Sequence, residues 1–108
     1  MKILFDQGTP APLRHALTGH TVSTSHELGW SNLENGGLLD AAELRFHLLI
    51  TTDKNIKHQQ NLAGRKLAIH VLPTTSWPVI QQHLMIVVDA ANSAKPGEFL
   101  QLVFPGLP

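Results

Sequence analysis

The chain reads as an α/β fold built on a mainly parallel sheet, with helices on both faces. Three observations carry that reading. Runs of β character alternate along the chain with stretches of helical spacing, the pattern of strand–helix–strand units. Two short apolar runs, Ile3-Leu4-Phe5 and Leu48-Leu49-Ile50, lack the polar alternation of a half-exposed strand. Each run leads into a lone aspartate, Asp6 and Asp53, as where the carboxyl end of a buried strand opens into a site.

In chain order, Lys2 to Phe5 forms the first strand. Gly8-Thr9-Pro10 places Thr9 as an N-cap and Pro10 at the first helical position, so a short helix runs from Pro10 to Leu17 and stops at Gly19. His20 to Ser25 alternates as a less buried strand, and His26 to Gly36 is a loop punctuated by glycine and asparagine. Leu38, Leu39, Ala42 and Phe46 share one face of a helix from Gly37 to Phe46. Leu48 to Thr52 is the central strand, Lys54 to Asn61 a helical turn or two, and Leu67 to Leu72 a fourth strand. Thr75 or Ser76 caps a helix that takes Pro78 early and continues to Ala91, burying Trp77, Ile80, Leu84, Val87 and Val88. After a break at Ser93 to Gly97, Glu98 to Phe104 is a late strand or an extended arm, ended by Pro105. Residues 1–92 make the domain and 93–108 the arm. So apolar an arm needs pairing, on its own sheet edge or on another copy in a homodimer.

Composition narrows the function classes. With 108 residues and 43% hydrophobic content, one domain with a real core is expected. Lys plus Arg and Asp plus Glu stand at eight each, so nucleic-acid binding has to come from a local patch. The absence of cysteine excludes disulfides, thiol catalysis and zinc ribbons. No stretch spans a bilayer and the N-terminus runs directly into a strand, which points to the cytoplasm.

Magnesium takes oxygen ligands, commonly one or two carboxylates completed by water and phosphate, and Asp6 and Asp53 suit that role if their strands are neighbours. The structural alternative is that each aspartate caps the turn that follows its strand. The most basic stretch, with Lys54, Lys57, Arg65 and Lys66, follows Asp53 and offers phosphate contacts or a solvated surface. Trp30 and Trp77 offer base stacking or core packing. The seven histidines form no zinc motif, and His20 and His70 read as packing or surface residues.

The segments Lys2-Ile3-Leu4-Phe5-Asp6-Gln7-Gly8-Thr9-Pro10, Gly19-His20-Thr21-Val22, Glu27-Leu28-Gly29-Trp30, Asn35-Gly36-Gly37-Leu38-Leu39 and Leu49-Ile50-Thr51-Thr52-Asp53-Lys54-Asn55-Ile56 carry a resemblance that extends to about Ala91. In them the chain resembles the small bacterial PIN-like domains related to VapC-type toxin ribonucleases. The resemblance implies a three-layer sandwich with strand order 2-1-3-4, which makes Asp6 and Asp53 neighbours. It implies Mg²⁺ or Mn²⁺ held by Asp6 and Asp53, RNA as substrate, and an antitoxin as protein partner. Such nucleases use three or four acids, and here Gln7, Gly37 and Asn55 stand where relatives often carry one. Glu34 and Asp40 flank Gly37 and are the candidates for the third acid: Asp40 lies one helical turn on, and Glu34 needs the loop to fold back. Two readings follow: a metal-dependent ribonuclease with a reduced acidic site, or a non-catalytic module that binds a protein or RNA.

Overall fold

A computed structural model describes residues 1–33, 35–59 and 62–107. Its strands are β1 (Lys2–Phe5), β2 (Thr21–Thr24), β3 (Leu48–Thr51), β4 (Ala68–Val71) and β5 (Phe99–Gln101). They form one all-parallel sheet in the order β2-β1-β3-β4-β5. Helices α1 (Asn35–Glu43), α2 (Ile56–Gln59), α3 (Trp77–Gln81) and α4 (Leu84–Asn92), with a 3₁₀ helix at Ala11–Ala16, cover it.

Alternation along the strands divides the core into two layers. Ile3, Phe5, Leu48 and Ile50 pack with Leu13, Ile80, Val87 and Ala91 on the face covered by the 3₁₀ helix, α3 and α4. Leu4, Leu49, Ile69 and Val71 pack with Leu38, Leu39, Ala42 and Ile56 on the face covered by α1 and α2. The fold is therefore the three-layer α/β sandwich expected. The terminal segment adds a fifth strand to it, pairing Phe99 with Ile69 and Gln101 with Val71.

Three local expectations change. Thr9 does not cap the first helix: Pro10 holds the cap position without a side-chain bond, and the Thr9 hydroxyl turns toward Asp6 and the Ile50 carbonyl. That helix is 3₁₀ rather than α, entered and left through i→i+3 bonds from Leu13 N–H to the Pro10 carbonyl and from Leu17 N–H to that of Arg14. The helix expected from Pro78 to Ala91 is two helices. At the break, Gln82 and His83 donate backbone bonds to Val79 and Ile80, and the His83 ring stacks on Phe104 at 4.7 Å. The Ser76 cap stands, accepting the Val79 N–H.

His70 is buried in β4, and its Nε2 donates to Glu98 Oε1 at 2.9 Å. His20 bridges the N-terminal ammonium and Asn92. Trp77 packs at the edge of the core. Among the described residues, no helix is long and apolar enough to cross a membrane.

Candidate functional site

The strand order reverses between β1 and β3, the switch point where open parallel sheets place their ligands. Phe5 is in register with Ile50 on one side and Thr24 on the other. The next residue of each chain segment, Ser25, Asp6 and Thr51, therefore lies in a row at the carboxyl end of the sheet.

Asp6 is held by hydroxyl and amide donors. Thr51 Oγ1 donates to one carboxylate oxygen and Thr9 Oγ1, at 2.9 Å, to the other. A backbone bond from Gly8 adds to these. Thr51 Oγ1 also accepts the Asp53 N–H at 3.0 Å, so one hydroxyl links the Asp6 carboxylate to the Asp53 backbone. Asp53 Oδ1 accepts the Asn55 N–H at 2.9 Å, the turn-capping role raised by the sequence. Burial raises the Asp6 carboxyl above its ordinary value, the negative charge of Asp53 pushes the same way, and the three donors pull against both.

Two adjoining recesses open on Asp6. One, of about 150 Å³, is lined by Gln7, Ser25, Trp30 and Leu38 among others. The other, of about 420 Å³, is bordered by Thr9, Ser25, His26 and Thr75. Ser25 Oγ is buried where both recesses meet Asp6 and has no hydrogen-bond partner among the described residues. Sequence reasoning missed Ser25, Thr9 and Thr51. Only Ser25 had a legible signal, its place after the second strand, matching that of Asp6 after the first.

The remaining expected site residues disperse. Asp40 lies on α1 with its carboxylate 2.8 Å from Arg65 Nη2, so these two residues engage each other. Arg65 precedes β4 and Asp53 follows β3, and in a parallel sheet that puts them at opposite ends. Lys57 sits over the Phe99 ring at 5.5 Å. Lys54 stays at the carboxyl end, lining an apolar recess of about 360 Å³ with Val71, Leu102 and Phe104. Gln7 donates to the Ser31 carbonyl at 2.6 Å. Trp30 is half-buried, edge-on to Phe46 and beneath the Arg45 guanidinium, while also bordering the Asp6 recess. Glu34 lies outside the described residues. Among the described residues no group of three or more histidine or acidic side chains is arranged to hold a metal ion. Asp6 and Asp53 suit a cation that takes the rest of its oxygens from water and phosphate.

Gly8 fixes the loop between Asp6 and Thr9, because a Cβ there would collide with Thr52 Oγ1. Gly8→Ala is expected to cost about 1–3 kcal/mol of stability from overpacking. Adding Thr52→Ala restores most of the loss in a thermal-denaturation double-mutant cycle, since the next contact, Thr52 Cβ, is at an ordinary 3.6 Å. Additive losses would exclude that clash as the cause.

Comparison with protein-family models, with curated proteins and with solved structures finds no match for this chain.

Proposed function

We propose that the chain is a divalent-metal-dependent ribonuclease in which RNA phosphate completes a shell begun by Asp6 and Asp53. The observation that supports this reading is the placement of two carboxylates at adjacent strand ends, Asp6 desolvated and raised in part by the charge of Asp53. A divalent cation would relieve that repulsion, and when bound it supplies Lewis-acid stabilisation of phosphodiester charge. The protein's own part is to hold Asp6 through Thr9, Thr51 and Gly8, and to offer Lys54 as a cation at the same end of the sheet. The resemblance to PIN-like toxins adds an antitoxin partner to the same reading, and the apolar terminal segment and the composition add a homodimer and a cytoplasmic setting. Light scattering of the isolated chain, giving a mass twice 11.8 kDa, checks the dimer.

The test is Mn²⁺ calorimetry on the protein alone and on its complex with a non-cleavable 2′-O-methyl oligonucleotide, alongside cleavage of single-stranded RNA. Weak binding alone, tighter binding with the oligonucleotide, and Mn²⁺-dependent cleavage are expected. Neither metal binding nor cleavage would overturn the reading.

The engagement of Asp40 by Arg65 favours a second reading, a non-catalytic module that retains the RNA or protein surface. Gly37 separates the two. A side chain there has room, its nearest neighbour being Leu33 Cδ2 at 3.8 Å from the Cβ position. Under the second reading, Gly37→Glu with Asn55→Asp confers cleavage that the parent lacks.

A further inference from the structure

A groove of about 550 Å³ opens at the amino end of the sheet, the end opposite Asp6 and Asp53. Lys2, Arg45, Lys66 and Lys95 line it, half of the eight Lys and Arg side chains of a chain with no net charge. Of the other four, Arg14 and Arg65 are paired with Glu27 and Asp40. The one acid lining the groove among the described residues, Glu43, has both oxygens engaged, accepting the backbone N–H groups of Lys66 (2.6 Å) and Leu67 (3.0 Å). The groove therefore carries a concentrated positive surplus.

Helix ends explain only part of that surplus. Arg45 follows the carboxyl end of α1 and Lys95 that of α4, where cations are favoured. Lys2 opens β1 and Lys66 precedes β4, with no helix end to complement. One of these cations is already oriented, and His47 adds a further donor. The Arg45 guanidinium lies 5.4 Å from the Trp30 ring centroid and 5.8 Å from that of Phe46. His47 Nδ1 accepts the Lys2 N–H at 3.0 Å, which leaves Nε2 as the ring's donor. Phe46 and Ala68 are buried groove residues and give it an apolar floor.

We propose that this groove binds closely spaced phosphate charge, carried by the polyphosphate of a nucleotide or by the successive phosphodiesters of a nucleic-acid strand. Four cations around one recess match two or more phosphate charges held within a few ångströms of one another. An acidic peptide is the poorer fit. Its carboxylates are spread along a backbone, and docking by strand addition is closed to it because this groove lies at the ends of β1, β3 and β4, whose edges are all paired. The inference does not depend on the role of Asp6 and Asp53.

The test titrates the full chain with inorganic triphosphate, ATP, a single-stranded RNA ten-mer and poly-L-glutamate, followed by calorimetry and backbone amide NMR shifts. Triphosphate is expected to shift the amides of Lys2, Arg45 to His47, Lys66 and Lys95. Lys66→Gln with Lys95→Gln is expected to weaken it about tenfold, or about 1.4 kcal/mol, for two surface charges. Both lysines are exposed, and an unchanged amide spectrum elsewhere certifies the variant's fold. Tighter binding of ATP than of RNA identifies a free nucleotide as the source of the phosphate. Tighter RNA binding with a steep salt dependence identifies a strand. No shift at these residues, an unweakened variant, or tighter binding of poly-L-glutamate than of triphosphate would overturn the proposal.

Discussion

Asp6→Asn is expected to abolish metal-dependent cleavage while leaving the fold intact, with a Tm at neutral pH equal to or above that of the parent. On the proposed function, several kcal/mol of charge stabilisation go with the lost ligand, about a thousandfold in rate. Stability moves the other way because the folded carboxyl titrates above its ordinary 3.8, burial being the first cause and Asp53 an added one. The folded state then holds the proton more tightly than the unfolded chain does. Ionisation costs nothing below the unfolded value, costs more through the window above it, and costs fully at neutral pH.

The amide that replaces the carboxylate has partners waiting. The Thr9 hydroxyl has a single hydrogen, with Asp6 Oδ1 at 2.9 Å and the Ile50 carbonyl at 2.8 Å both within reach. An asparagine N–H can donate to Thr9 Oγ1 while Thr9 donates to Ile50, and the amide oxygen still accepts from Thr51. The difference in Tm between variant and parent should shrink as the pH falls toward the ordinary carboxyl value. Glu27, held down to about 2 chiefly by its hydrogen bond from Arg14, stabilises both proteins above its ordinary 4.5. That contribution is lost from both as the pH falls, so it cancels in the difference. A variant that retains cleavage, or one that melts well below the parent at neutral pH, would refute this account of Asp6.

The parts of this molecule legible in the sequence are those set by local pattern. Uninterrupted apolar runs mark β1 and β3 because both faces of a parallel strand are covered, and the residue after each run stands at the sheet's carboxyl end by connectivity alone. Contacts between distant segments were not legible. Asp40 has the right helical spacing from Gly37, but spacing along one helix does not reveal Arg65, 25 residues away, as the partner of its carboxylate. Thr9 has the sequence context of a helix cap, whose oxygen would accept a backbone N–H, and tertiary structure instead turns its hydroxyl to donate toward Asp6 and the Ile50 carbonyl. The basic groove was hidden for the same reason. Lys2, Arg45, Lys66 and Lys95 are far apart in the chain and meet only because β1, β3 and β4 begin at one end of the sheet.

Removing residues 98–108 is expected to unfold the protein, and Phe104→Ala alone to cost about 3–5 kcal/mol. Phe104 is 1% exposed, belongs to the same core as Phe5 and Ile50, and stacks on His83 where α3 breaks from α4. Truncation takes more than this side chain. It removes β5 and the following Leu102, whose N–H bonds to the Val71 carbonyl, and strips that partner from β4. It also removes Glu98, leaving the buried His70 ring, whose Nδ1 already has no partner, without its one side-chain bond. An unmet buried polar group adds about 1–3 kcal/mol. Together the losses match the about 5–15 kcal/mol that holds a domain of this size folded. Phe104→Leu, which keeps most of the volume, should recover much of the alanine deficit in urea denaturation. A truncated chain that still unfolds cooperatively, with a midpoint near that of the full chain, would show that the terminal strand is dispensable to the core.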